Sequence, residues 1–406
     1  VNIESMVDSN NVGFINGDID LSDLILHSSY LGWKNRSEDH NKIIFSVNMV
    51  GEDKFLFNKL DITGNDIDIK LNGKLENENL FLRSTIFNLP NNNFNIEVEL
   101  NKKKTTVSID GEKIHLGDIL GFFTKSNNGS ERDIGVNMRV DTILMKDDII
   151  INNAELNLTC VQGNCNGSHF TGKFLQDENS NILAKYSEIG FEIYADDAEM
   201  LFRSLGISNS VKNGKLSFYL SPQRGDTKHY GMVSISNFYI KDAPILTTLL
   251  SMSSLPGIVN TLKKEGIYFY RCNIPFTYSN SIVEIEESLL EGTELGMITS
   301  GNLDIKNSRF NVTGQVIPAY SMNKFLLKIP IIGKLLTGGK SRGVIGIDYK
   351  ANGDSNNSNV SVNFISSLTP SLLKRMLGIF DRIMIKTNQN IKSYIQKESK
   401  SLQPLL

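Results

Sequence analysis

Period-two alternation of apolar and polar residues runs through this chain almost end to end, and it constrains the fold more than any other feature. Ile43, Phe45, Val47 and Met49 form one apolar series. Ile67, Ile69 and Leu71 form the next, with Asp66, Asp68 and Lys70 between them. Phe94, Ile96, Val98 and Leu100 alternate with Asn95, Glu97 and Glu99; Ile134, Val136, Met138 and Val140 alternate with Gly135, Asn137, Arg139 and Asp141. The pattern continues through Phe191 and Ile193, Leu216 and Phe218, Val233 and Ile235, and on to Val360 and Val362. Successive side chains of a strand point to opposite faces, so this spacing predicts strands with one dry face and one wet face.

Turn signals separate the runs: Asn72-Gly73, Asp110-Gly111, Gly301-Asn302 and Asn352-Gly353 among them. Short connections imply antiparallel neighbours in a meander. About twenty strands are expected, and one sheet of that size spans on the order of 95 Å. So much one-sided apolar surface needs a cover. A sandwich or barrel covers it with itself, whereas a long curled trough leaves it open on one side. Alternation alone favours the packed sandwich.

Short helices interrupt the strands. They are expected near 197–205, 243–252, 255–265, 320–327 and 370–377, with further ones over Asp20–Trp33 and His115–Phe123. Asp196, with Glu199 three residues on, reads as the N-cap of the first of these, and Gly206 as its C-terminal stop. Thr369-Pro370 reads as an N-cap followed by proline at the first helical position. The chain divides on paper into a strand-rich segment 1–195, a strand-and-helix segment 196–380 and a polar tail 381–406. Ala243–Leu262 is uncharged and just long enough to span a bilayer, but its Thr and Ser content and Pro256-Gly257 split it into two short amphipathic helices.

Composition narrows the function classes. A formal net charge of -3 argues against a dedicated nucleic-acid binder. The five histidines are scattered, with no His, Cys or Glu at ligand spacing, so no metal or other cofactor is expected. No Gly-x-Ser-x-Gly elbow is present, and Gly333–Ser341 misses the phosphate-loop spacing by one residue and precedes a strand. The reading is non-enzymatic. Cys160 and Cys165 flank a loop and fit either a disulfide or two thiols; Cys272 falls in a strand as a small hydrophobe.

One segment breaks the charge balance. Ile305–Ile347 holds no Asp or Glu but seven cations, among apolar residues. Chance and a packed helix with solvated lysines explain it as well as a surface meeting an anionic, apolar partner does.

Within and around this segment the sequence resembles a known family. DAPILTTLLSMSSLPGIVNTLKKEGIYF (242–269), GQVIPAYSMNKFLLKIPIIGKLLTGGKSRGVIGIDYKANG (314–353) and VSVN with SSLTPSLLKRML (360–377) resemble, in order and spacing, the AsmA-like C-terminal region of YhdP-type bridge-like lipid transport proteins. The resemblance covers about 196–378; residues 1–195 share only the strand-rich style. It departs at Asn356-Asn357-Ser358, where the family tends to carry an acidic residue and proline.

The resemblance implies a mainly β fold: a long curled antiparallel sheet forming an elongated apolar groove, interrupted by short amphipathic helices. It implies a non-enzymatic protein on the periplasmic side of a Gram-negative envelope. Such a protein is anchored to the inner membrane by a segment outside this chain, and moves or holds phospholipids between the two membranes. The start at Val1 fits the distal part of a longer chain. A structural role in outer-membrane assembly, with a closed β core, is the alternative. Implied partners are phospholipids, a membrane surface and envelope proteins, without nucleic acid. The groove would be lined by Ile43, Phe45, Val47, Met49, Ile67, Ile69, Phe94, Ile96, Val98, Leu100, Ile134, Val136, Met138, Val140, Phe191, Ile193, Leu216, Phe218, Val233 and Ile235. Lys324, Phe325, Lys328, Ile331, Ile332, Lys334, Lys340 and Arg342 would meet membrane or head groups.

Overall fold

The computed structural model describes residues 1–22, 27–28, 33–34, 39–115, 133–175, 180–222, 228–253, 255–318, 345–354 and 357–367. One sheet of 21 strands dominates. Its members in spatial order are β1 (Asn2–Val7), β2 (Val12–Asp20), β5 (Lys42–Val50), β6 (Lys54–Thr63), β7 (Asp68–Glu76), β8 (Asn79–Leu89), β9 (Asn92–Leu100) and β10 (Lys104–His115). Then follow β11 (Asp133–Leu144), β12 (Ile150–Cys160), β13 (His169–Phe174), β14 (Asn181–Ser187), β15 (Gly190–Ala195), β16 (Val211–Leu220) and β17 (His229–Ile240). The sheet ends with β18 (Ile267–Ser279), β19 (Ile282–Gly292), β20 (Leu295–Asp304), β21 (Arg309–Pro318), β22 (Ile345–Asp354) and β23 (Ser358–Ser367). Strands β3 (His27–Ser28) and β4 (Trp33–Lys34) pair separately as a small antiparallel ladder, where a helix over Asp20–Trp33 was expected; 23–26 and 29–32 lie outside the described residues.

Two features correct the expected curled antiparallel groove. First, the sheet is neither curled nor closed: β1 and β23 are its two edges and do not pair with each other. Second, it is not wholly antiparallel, because β10 and β11 run parallel, from Lys104↔Asp133 to His115↔Leu144. The physical reason lies in what alternation specifies. It decides which face a side chain takes, but not the bend of the sheet or the direction of the next strand. The open sheet also shields part of its own apolar face. A Cβ on Gly17 would sit 2.3 Å from the Phe45 ring, and one on Gly231 would sit 2.0 Å from the Phe276 ring. Each ring therefore lies over a bare neighbouring backbone rather than standing up for a second layer to cover.

The ends of the strands differ. At one end most connections are short, as between Val7 and Val12, Val50 and Lys54, Glu76 and Asn79, Ser187 and Gly190, and Ser279 and Ile282, beside longer ones from Cys160 to His169 and from Leu220 to His229; we call this the hairpin rim. At the other, the insertion rim, lie Leu21 and Asn41, a 3-10 turn (Lys146–Asp148) and three helices: α1 (Ala198–Ser204), α2 (Pro244–Met252) and α3 (Pro256–Lys264). Pro318, which ends β21, and Ile345, which begins β22, also lie there.

Local chemistry accounts for the helices. Asp197, not Asp196, caps α1, its side chain accepting from the Met200 N–H at 3.0 Å. Gly206, at φ +66, closes it: Gly206 N–H donates to Arg203 O at 2.9 Å and Ile207 N–H to Phe202 O at 2.8 Å. Helices α2 and α3 each place proline at the first helical position, where no N–H is needed. Pro256 thus starts a helix rather than merely interrupting one.

The core sits beneath the insertion rim. Leu249, Leu250 and Leu262 of the helices are fully buried against the sheet in one cluster with Ile114, Ile143, Ile151, Phe174, Phe238, Phe269 and Ile267. Burying a side chain of this kind stabilises by about 1.5–3 kcal/mol.

Candidate apolar face

The register connects the strands into continuous apolar rows. One row crosses β9 to β18 without a break: Ile96, Ile109, Met138, Leu156, Phe170, Ala184, Ile193, Phe218, Val233 and Ile274. A second, nearer the insertion rim, runs from Ile182 through Ala195, Leu216, Ile235, Cys272, Leu290, Met297 and Val316 to Ile347. Toward the other edge, Ile15, Val47 and Phe57 pair in sequence, as do Leu82, Val98, Val107, Val136 and Leu158. With neighbouring strands ~4.8 Å apart, the face runs for about 100 Å.

The strand residues expected to line a groove lie on this face, and Ile67, just before β7, packs with Ile69. Those near the insertion rim or at the parallel pair are buried: Ile67, Ile69, Phe94, Val136, Val140, Leu216 and Ile235. Ile134, at the hairpin rim, is 41% exposed. The others are half-buried: Ile43, Phe45, Val47, Met49, Ile96, Val98, Leu100, Met138, Phe191, Ile193, Phe218 and Val233. The face is thus covered along one rim and partly open along the middle. Phe191, Phe218 and Phe276 form a chain of ring contacts across it, with centroids 6.2 and 5.9 Å apart. Ile109, Leu156, Phe170, Ala184 and Ile274 complete the first row. They lie outside the expected set, and their signal was the same alternation in shorter runs.

The opposite face carries most of the ion pairs, although Phe81, Leu183, Ile298 and Ile317 also lie on it, the last two buried. Lys54 meets Glu76 at 3.0 Å, Arg139 meets Glu155 at 3.2 Å, Lys185 meets Glu192 at 3.2 Å and Arg271 meets Glu291 at 2.5 Å. Asp196 accepts from Lys215 and Tyr194 at 3.0 and 2.8 Å and from the Asn181 side chain at 3.0 Å. Burial opposes its charge, but these donors outweigh it and hold the carboxyl below the usual carboxylate range. An open depression of about 550 Å³ lies over β8 to β13 on this face, bordered by Arg83, Glu97, Asp110, Arg139 and His169.

Cys160 and Cys165 are joined in a disulfide at the hairpin rim. Cys272 is free and lies on the apolar face, where burial pushes its thiol up to about 12. Among the described residues no group of three His, Cys, Asp or Glu side chains is placed to hold a metal ion, and no helix is long and apolar enough to cross a membrane. Lys324, Phe325, Lys328, Ile331, Ile332, Lys334, Lys340 and Arg342 lie outside the described residues, as do the helices expected at 320–327 and 370–377 and the tail 381–406.

Comparison with protein-family models, with curated proteins and with solved structures finds no match for this chain.

Proposed function

We propose that this protein holds phospholipid acyl chains against the apolar face of its open sheet and lets them pass along it, without performing chemistry. The observation that carries the proposal is the unbroken apolar row from Ile96 to Ile274, perpendicular to the strands and half-buried except at the buried Ile109. Exposed apolar surface of this extent calls for a ligand or partner. Hydrophobic contact is non-directional and is worth about 0.8 kcal/mol per buried CH₂. A row of Ile, Val, Phe, Leu and Met therefore holds an acyl chain equally well at successive strands, and the chain slides without crossing water. The AsmA-like resemblance of 242–377 points to the same cargo and to an envelope location. The Cys160–Cys165 disulfide fits an oxidising, extracytoplasmic compartment.

Native mass spectrometry of the chain purified without detergent tests this reading, with lipid extraction alongside. Several phospholipids per chain are expected. A lipid-free protein that also takes up no lipid from vesicles would refute the proposal and leave a scaffold role.

A further inference from the structure

From β14 to β18 the apolar face is closed toward one rim and open toward the other. Nearest the insertion rim, Ile182, Ala195, Leu216, Ile235 and Cys272 are buried. Helices α2 and α3 seat Leu249, Leu250 and Leu262 in the same cluster. The next residues toward the hairpin rim, Ala184, Ile193, Phe218, Val233 and Ile274, are half-buried. A ligand on this part of the face therefore meets water past the hairpin rim, not past the helices.

The side chains that border the face on that side combine apolar bodies with polar tips. Tyr186 lies on the same side of β14 as Ala184, and Tyr278 on the same side of β18 as Ile274. His229 pairs with Tyr278, their rings 6.0 Å apart, and all three side chains are half-buried. Among the described residues neither the Tyr186 nor the Tyr278 hydroxyl has a hydrogen-bond partner. On the opposite face the Tyr194 and Tyr219 hydroxyls are taken, donating to Asp196 at 2.8 Å and to the Ile189 carbonyl at 2.7 Å. The outermost strand residues of this border, Tyr186, Phe191, Leu220, His229 and Tyr278, include no Asp, Glu, Lys or Arg. Tyrosine suits a boundary that is apolar at one end and wet at the other.

We propose that this border is a phosphate-binding site for the head groups of phospholipids, with Tyr186 and Tyr278 as its hydroxyl donors. The acyl chains then run from the hairpin rim toward α2 and α3. The inference rests on the lipid-holding reading of the face and adds the orientation of the cargo. Neutral donors hold a phosphate less tightly than paired cations do, so the lipid is released as readily as it is held. The two hydroxyls stand four strands apart, about 19 Å along the row, so the same orientation recurs as a lipid advances.

The test photo-crosslinks the full chain to two phosphatidylcholines, one with a diazirine in the head group and one with it at the acyl terminus. The head-group probe is expected to label the hairpin-rim ends of β14 to β18, and the acyl probe the region of Ile235 and Cys272. The reverse pattern, or one pattern for both probes, would overturn the orientation while leaving lipid holding intact. No labelling by either, with a lipid-free chain in native mass spectrometry, would overturn both. The Tyr186→Phe, Tyr278→Phe double variant keeps both rings, and is expected to bind phosphatidylcholine roughly tenfold more weakly and diacylglycerol unchanged. Equal loss for both lipids, or none, would overturn the assignment of the hydroxyls to phosphate. Excess inorganic phosphate is expected to leave the lipid bound; displacement would assign the border to free phosphate instead.

Discussion

Adjacent residues of β9 allow the two faces to be tested against each other. Val98 lies on the apolar face between Leu82 and Val107, half-buried; Glu97 lies on the polar face, 3.7 Å from Arg83. In the Val98→Asp variant an acyl chain crossing β9 must pass a carboxylate. Placing a charged side chain in a hydrocarbon environment costs about 3 kcal/mol on insertion scales, which corresponds to roughly a hundredfold loss in passage. The Glu97→Lys variant makes a larger change of charge one residue away, in water, and is expected to leave passage within about twofold, since exposed ion pairs contribute at most ~1 kcal/mol. The assay is transfer of a fluorescent phospholipid between donor and acceptor vesicles, with hydrogen exchange across β8–β10 confirming that both variants keep the sheet. A Val98→Ser control separates polarity from charge, and an intermediate loss is expected. Equal loss in Val98→Asp and Glu97→Lys, with the sheet intact, would refute the two-faced reading.

Further expectations concern stability and reactivity. Gly231→Ala drives a Cβ into the Phe276 ring and is expected to destabilise by about 1–3 kcal/mol. Phe276→Ala in the same chain relieves that clash, so a double-mutant cycle followed by hydrogen exchange in β16–β18 should show less than additive loss; strict additivity would mean the ring does not lie over Gly231. Asp196 has a lowered folded pKa, so its contribution is full above the unfolded value and is lost as pH falls below the ordinary carboxylate range near ~4. Thermal melts of Asp196→Asn should therefore show a shallower loss on acidification than the parent, and identical slopes would contradict the pairing described. Cys272 should resist iodoacetamide at pH 8.5 in the folded chain and react once urea opens the sheet; rapid native labelling would place it at the surface.

The faces were legible because a strand's side-chain period is a property of the backbone. Ile43, Val98, Val136 and Phe218 share a face for that reason alone. Strand direction was not legible. Alternation reads the same in both directions, so nothing in Lys104–His115 or Asp133–Leu144 announces a parallel pair. The way the face shields itself was illegible too, because it depends on which glycines meet which rings across strands, as Gly17 meets Phe45 and Gly231 meets Phe276. Among the helices, Asp196 and Asp197 were equally good caps by composition. The structure uses Asp197 as the cap and gives Asp196 to Lys215, Tyr194 and Asn181. The ladder of β3 and β4 was read as a helix because Asp20-Leu-Ser-Asp23 imitates a helix start; in the structure Asp20 Oδ1 instead accepts from Ser22 N–H at 2.9 Å.

The parallel pair sets the parity of everything that follows it. In a strict meander, successive connections alternate between the two rims. The parallel pair breaks that count: His115, which ends β10, and Asp133, which begins β11, lie at opposite rims, a span of roughly 40 Å for a strand of this length. Had β11 run antiparallel to β10, the connections holding α1, α2 and α3 would fall on the rim opposite residues 21–41. The crossover therefore works as a phase correction. With it, the connection that carries β3 and β4, before the crossover, and those that carry α1, α2 and α3, after it, fall along one border. By the same count, inserting or deleting a pair of strands on either side of the crossover keeps that arrangement, whereas a single strand inverts it for all of the chain that follows.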